Sequence, residues 1–313
     1  MSPTVVATAF GGPEVLSVID ADVPEPGPGE VVVDFRAIGV NPIDHKLYSG
    51  AFGTDESQLP KRLGSEGAGV VSAVGPDAVG PAGPIAVGDE VIAFRGVGTY
   101  ASRAVQPASS IIPKPAGLDW EQAGGLLLTA ATAYDALEVL GVGQGDTVLI
   151  HGAAGGVGLL AVQLARLRGA TVIGTGREVN HDYLRSIGAQ PTTYGDGLAD
   201  RVRDLAPGGI TAAFDTVGAD EAVDVSLELV ADRSRIVTTA AFERAQAEGF
   251  GSIGGSNPDS AERRDAARQE LVGLAGEGKL VNVVAKTFPL ADVATAHSEL
   301  QQPHDIGKFI LLP

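Results

Sequence analysis

Hydrophobic positions change their spacing along the chain, and the change divides it. From the start to about Pro115, short runs rich in Val, Ile and Ala, such as Val31–Phe35, Val70–Val74 and Val91–Phe94, are broken by Gly and Pro. This pattern predicts compact β structure. At Asp119-Trp120-Glu121-Gln122 a capping-box pattern opens an Ala/Leu-rich stretch, which predicts one helix running toward Leu140. Beyond it the pattern alternates. Strands are expected at Thr147–His151, Thr171–Gly174, near Thr192, at Thr211–Asp215 and at Arg235–Thr238. Helices are expected between them: from the glycines after His151 to Arg168, then near Asp182–Ile187, Leu198–Leu205 and Glu221–Val230. Such alternation implies a parallel, doubly wound α/β sheet, a Rossmann domain. A charged helix is expected at Ala261–Ala275, then turn residues Gly276–Lys279, a strand over Leu280–Phe288, a short helix at Ala291–Leu300 and a last strand at Lys308–Leu312. This tail is expected to return to the first domain.

With 313 residues and roughly 150 residues per domain, two domains are favoured. The divisions expected are 1–120 with 265–313, and 121–264.

The strongest local signal is Val148-Leu149-Ile150-His151-Gly152-Ala153-Ala154-Gly155-Gly156-Val157-Gly158. Small residues stand where a strand must turn sharply into a helix, so backbone N–H groups can approach a pyrophosphate at the positive end of the helix dipole. A lone glycine loop is weak evidence, because glycines also tighten packing; the strand before and the helix after raise it to a dinucleotide site. About eighteen positions after Gly158, where a carboxylate would hold the ribose hydroxyls of NAD, stands Gly176, flanked by Thr175 and Arg177. That pocket accepts a phosphate and favours NADPH, although Glu178 opposes it and Arg177 has an alternative reading as a surface arginine.

Composition narrows the chemistry. Hydrophobic residues make up 44% and charged residues 19% of the chain, as in folded globular proteins. No apolar run approaches the roughly 20 residues that cross a bilayer, and Met1-Ser2-Pro3-Thr4 lacks a signal-peptide pattern, so no membrane partner and a cytoplasmic location are expected. There is no cysteine, which excludes disulfides, thiolate catalysis and cysteine-ligated zinc. The net charge of −17, with no basic cluster, argues against nucleic acid as a partner. The five histidines have no metal spacing, and no serine sits in a nucleophile elbow.

Gly145-Asp146, Leu149, Ala153-Ala154-Gly155-Gly156, Gly158, Gln163 and Arg166 match in spacing a family signature. In these residues the chain resembles the quinone oxidoreductase and zeta-crystallin family, a zinc-independent branch of the medium-chain dehydrogenases and reductases. Similar segments cover nearly the whole chain: Gly11-Gly12-Pro13-Glu14-Val15-Leu16, Gly39-Val40-Asn41-Pro42-Ile43-Asp44, Gly64-Ser65-Glu66-Gly67-Ala68-Gly69, Thr129-Ala130 with Ala133-Tyr134, Phe214-Asp215-Thr216-Val217-Gly218 and Gly307-Lys308. The resemblance implies a GroES-like catalytic domain made from both chain ends, a Rossmann domain between them and an active site in the cleft. Zinc-using relatives carry a cysteine where Asn41 stands and a histidine where Ser65 stands, so no metal is expected.

By the same resemblance, Asn41 and Thr129 face the nicotinamide and Ala154, Gly155, Gly156, Val157 and Gly158 the pyrophosphate. Thr175 and Tyr194 are assigned to the adenosine phosphate, Val217, Thr239 and Ala240 to the nicotinamide ribose, and Lys308 joins the cofactor-binding set. Asn41-Pro42 is also a common turn pair, Thr129 a possible helix residue bonded to its own backbone, and Tyr194 a possible core residue. Family members usually have a basic residue where this chain has Val179 and an arginine where it has Tyr48. The activity implied is hydride transfer from NADPH to a quinone, with Asn41 and Tyr48 as donors to the acceptor oxygen and the proton taken from solvent; Tyr48 reads equally as an exposed loop residue. Reduction of an alkenal or enone double bond uses the same parts. A third reading, from another class, is a crystallin-like or RNA-binding protein without turnover. A homodimer is expected by resemblance, with Phe250–Ile253 as the candidate sheet edge.

Overall fold

The computed structural model covers residues 1–313. The chain forms two compact units, Met1–Leu128 with Val272–Glu277 and Asn282–Pro313, and Thr129–Leu271 with Gly278–Val281. No helix is long and apolar enough to cross a membrane.

The first unit is built on a seven-stranded sheet. Its order is Ile111–Pro113, Glu90–Phe94, Glu66–Val74, Glu30–Gly39, Lys308–Leu312 and Val284–Pro289, with Arg103–Pro107 also paired to Glu30–Gly39. The chain's last strand thus lies antiparallel on a strand from its beginning, Ile310 opposite Gly39 and Leu311 opposite Ile38. Val31, Val33, Phe35, Val71, Val91, Phe309 and Leu311 bury together in one core. A second sheet of three strands has Ser2–Ala7 in its centre.

The second unit is a six-stranded parallel sheet ordered Ala189–Thr192, Thr171–Thr175, Thr147–His151, Ala212–Asp215, Ile236–Thr238, Gly251–Ser252. In chain order this is 3-2-1-4-5-6, the Rossmann arrangement, in which ligands bind beyond the carboxyl ends of the strands where the order reverses. The apolar run Val148, Leu149 and Ile150 at the centre of the strand Thr147–His151, buried throughout, suits a strand covered on both faces. Gly251–Ser252 is the edge strand, flanked by the buried Phe250 and Ile253.

Three expectations need correction. The helix expected from Asp119 to Leu140 is two helices, Trp120–Gly124 and Leu127–Val139, and Asp119 makes no side-chain cap. The break has a steric cause: a Cβ on Gly124 would stand 2.6 Å from the carbonyl oxygen of Ala37, and one on Gly125 2.7 Å from Ile310 Cδ1, so this stretch lies pressed onto two strands. The first unit therefore runs on to Leu128, where 120 was expected, and the second boundary falls at Val272, within the helix Pro258–Gly276. The strand expected over Leu280–Phe288 is shorter, Val284–Pro289, because Leu280 and Val281 belong to the other unit.

Candidate active site

In the parallel unit the strand Thr147–His151 leads through Gly152, at φ +73°, into the helix Gly156–Leu167, with Gly155 as N-cap. Two bonds pin the loop to the neighbouring strand: Gly152 N–H donates to Thr175 Oγ1 (3.1 Å) and Ala153 N–H to Thr175 O (2.9 Å). The first helical bond is Leu159 N–H to Gly155 O, so the N–H groups of Gly156, Val157 and Gly158 precede the ladder. Packing requires Gly158, whose Cβ would come within 2.2 Å of Gly152 O. Gly155 differs. Its φ is an ordinary −79° and its Cβ would meet only Gly152 O at 3.4 Å, so neither backbone nor packing calls for glycine there. A close-approaching ligand does call for it, which is the fit expected of a pyrophosphate cradle.

Beyond the strand Thr171–Thr175, Gly176 N–H bonds Thr192 O (3.0 Å) and Gly176 O accepts from His181 Nε2 (3.2 Å). A Cβ at Gly176 would stand 3.2 Å from Leu184 Cδ1, so a longer side chain meets resistance here. Arg177 follows at the sheet's carboxyl edge, half-buried. Tyr194 lies past the end of the strand Ala189–Thr192 and is 58% exposed, which removes its reading as a core residue. Thr175 is buried, and its hydroxyl oxygen accepts the Gly152 N–H and so holds the glycine loop. Val217, 55% exposed, and the half-buried Thr239 and Ala240 follow the next two strands at the same edge. Thr129 is buried in the first turn of Leu127–Val139.

In the sheet-rich unit, Asn41, Glu66 and Lys308 form a buried triad. Asn41 Nδ2 donates to Glu66 Oε1 (2.9 Å) and Gly39 O (3.3 Å), and Asn41 Oδ1 accepts from Lys308 Nζ. The ammonium also bonds Val40 O (2.8 Å) and pairs with Glu66 Oε1 (3.2 Å), while Glu66 Oε2 accepts the Leu128 N–H (2.9 Å). Both amide donors of Asn41 and all three of Lys308 are thereby used inside the unit. Asn41 is corrected as a donor to an acceptor oxygen, and Lys308 as a direct cofactor contact.

Tyr48 is corrected too. It is fully buried in the helix Pro42–Tyr48, neither an exposed loop residue nor open to a substrate, and its hydroxyl lies 2.9 Å from His297 Nδ1. From there a chain of bonds continues: His297 Nε2 to Tyr100 OH (3.1 Å) and Tyr100 OH to Asp44 Oδ2 (2.9 Å), which also accepts the Asn41 N–H (2.9 Å). Burial pushes the Asp44 carboxyl up to about 6 and the His297 imidazole down to about 4, and raises both tyrosine hydroxyls. His297 is therefore neutral at pH 7. With Tyr100 donating to Asp44, the hydroxyl oxygen of Tyr100 receives His297 Nε2–H, and Nδ1 receives Tyr48 O–H. Sequence reasoning missed Tyr100 and His297, which lie 197 residues apart in the chain and carry no motif.

No group of three or more His, Cys, Asp and Glu residues is arranged to hold a metal ion. Two family models match the chain, the alcohol dehydrogenase GroES-like domain over residues 27–116 and the zinc-binding dehydrogenase over 156–256. A quinone oxidoreductase of Pseudomonas aeruginosa is 36% identical over the full length of both chains. A 2-haloacrylate reductase of a Burkholderia species is 32% identical over 97% of this chain and 96% of that protein. The Escherichia coli quinone oxidoreductase, solved in complex with NADPH, superposes over the full length of both chains with a TM-score of 0.87 at 29% identity.

Proposed function

Because the chain belongs to the quinone oxidoreductase branch of the medium-chain dehydrogenase/reductase family, we propose that it is an NADPH-dependent reductase of quinone-type acceptors that works without zinc. The observation carrying this reading is Gly155, a glycine that the fold does not need, at the mouth of a strand–loop–helix cradle. NADPH, when bound, supplies the hydride. The N–H groups of Gly156, Val157 and Gly158 hold its pyrophosphate, and Arg177 with Tyr194 receives the 2′-phosphate at the adjacent strand ends. Val217, Thr239 and Ala240 flank the nicotinamide ribose.

Zinc independence is supported by the donor set. The chain has no cysteine, and Asn41 already spends its amide on Glu66, Gly39 and Lys308. Without a Lewis acid, an isolated ketone is hard to polarise, whereas a quinone spreads the arriving negative charge over a conjugated system. The 32% identity to a 2-haloacrylate reductase favours a second reading, reduction of an activated carbon–carbon double bond. One experiment tests both: NADPH oxidation across a panel of quinones and enones, with metal content measured after dialysis against a strong chelator. Turnover with quinones by metal-free protein is expected. Turnover confined to enones selects the second reading, and activity restored only by zinc overturns the zinc-free mechanism.

A further inference from the structure

Two turns at the carboxyl edge of the parallel sheet share an unusual property. They follow the adjacent strands Ala212–Asp215 and Ile236–Thr238, where Asp215 stands beside Thr238. Every backbone N–H of both turns points inward to a partner. Thr216 N–H bonds His151 O (3.3 Å), while Val217 and Gly218 N–H bond Asp215 Oδ1 (2.9 and 3.0 Å). Thr239 N–H bonds Asp215 O (3.0 Å), and Ala240 and Ala241 N–H bond Thr238 Oγ1 (3.0 and 2.9 Å). The two sets are joined where Thr238 O–H donates to Asp215 Oδ2 (2.7 Å). Gly218, at φ +80°, brings the turns together, since a Cβ there would stand 2.9 Å from Ala240 Cβ.

Asp215 is buried and has no Lys or Arg partner; its carboxyl oxygens are met by these N–H and O–H donors. The neighbouring turn after Thr175 is tied by neutral groups, Ala153 N–H to Thr175 O and Gly176 N–H to Thr192 O, while past Thr192 a single N–H, that of Gly195, reaches a carboxylate, Glu221 Oε2 (2.9 Å). At this pair of turns, by contrast, one carboxyl group and one hydroxyl together take up four N–H donors.

We propose that Asp215, acting through Thr238, is a positioning residue that takes up the N–H donors of both turns and leaves carbonyl oxygens and the exposed Val217 side chain as a rim with no backbone N–H to offer. A rim without backbone donors suits a partner that itself donates. The hydroxyls of the nicotinamide ribose do so, whereas phosphate oxygens only accept. The opposite holds at Gly156–Gly158, where the N–H groups lie ahead of the helical ladder. The same sheet edge thus sorts the two chemistries of one dinucleotide. This inference rests on the NADPH reading above and assigns the nicotinamide half of that site.

The test separates the halves of the cofactor. Thr238→Val keeps the shape and removes the hydroxyl, freeing the Ala240 and Ala241 donors; Thr238→Ser restores it. Dissociation constants for NADPH, from fluorescence titration, and for 2′,5′-ADP, from calorimetry, are compared in wild type, both Thr238 variants and Asp215→Asn. Thr238→Val is expected to weaken NADPH by about tenfold, to leave 2′,5′-ADP unchanged, and to be rescued in Thr238→Ser. Unchanged NADPH binding in Thr238→Val, or equal weakening of both ligands, overturns the proposal even if Asp215→Asn fails to fold. Failure of the wild type to bind NADPH overturns instead the reading beneath it.

Discussion

At the scale of single residues, charge is expected to decide cofactor choice. The 2′-phosphate brings nearly two negative charges to a protein whose net charge is already −17, so a local cation is needed, and Arg177 is the one at the end of the second sheet strand. A hydrogen bond to a charged group is worth roughly 1.5–3 kcal/mol, equivalent to about a ten- to hundredfold preference. Arg177→Ala is expected to lower kcat/KM for NADPH by that factor and leave NADH nearly unchanged, with Tyr194→Phe acting in the same direction more mildly. The check is the NADPH to NADH ratio in each variant; equal loss with both cofactors removes the phosphate pocket. The buried pair Asp44 and His297 sets a second prediction. Asp44 titrates at about 6, above its usual 3.8, so its contribution to stability is complete in acid and is lost as pH rises through 6. His297 titrates at about 4, below 6.5, so its contribution is complete above 6.5 and is lost as pH falls through 4. The two slopes oppose each other. In urea unfolding, the cost of Asp44→Asn should therefore be largest in acid and shrink by up to about 3 kcal/mol toward neutral pH. A pH-independent cost would show that Asp44 is not held uncharged in acid by burial.

Single elements separate folding from binding. In the glycine loop, Gly158 is fixed by contact with Gly152 O and Gly155 by nothing in the fold. Gly158→Ala forces a shift in a tightly packed turn, and overpacking of this kind costs about 1–3 kcal/mol. Gly155→Ser places a favoured N-cap at the head of Gly156–Leu167, so thermal stability should hold or rise. Yet the same hydroxyl occupies the approach and competes for the N–H groups of Val157 or Gly158. NADPH affinity should then fall at least tenfold, about 1.4 kcal/mol. Thermal melts and NADPH titrations of the two variants check this crossing of effects, and Gly155→Ser binding NADPH as tightly as the parent would remove the cradle. The helix over Trp120–Val139 carries the opposite lesson: its Ala/Leu pattern reads as continuous, but Gly124 and Gly125 yield to the strands beneath them and break it.

At the scale of the molecule, the short edge strand Gly251–Ser252 is the place where the parallel sheet would continue into a second copy. We propose a homodimer formed there, and light scattering at micromolar concentration is expected to give twice the 31.7 kDa chain mass. A Pro at Ser252 should lower that mass while leaving NADPH binding in place; a monomeric parent would end the proposal.

What the sequence determined by itself is everything carried by local pattern: the β-rich beginning, the alternating α/β centre, the glycine loop and the final strand at Lys308–Leu312. Strand and helix periods, turn glycines and motif spacing act over a few residues, so they are readable along one dimension. Tertiary structure decided the roles of the polar side chains. Asn41 and Lys308 meet Glu66 because the last strand pairs with Glu30–Gly39, and Tyr48 turns inward because His297 arrives on a helix some 249 positions away in the chain. Thr175 meets the glycine loop because two parallel strands end side by side. A buried polar group must find a partner, and which partner it finds depends on what the fold brings within about 3 Å, a distance on which sequence separation has no bearing.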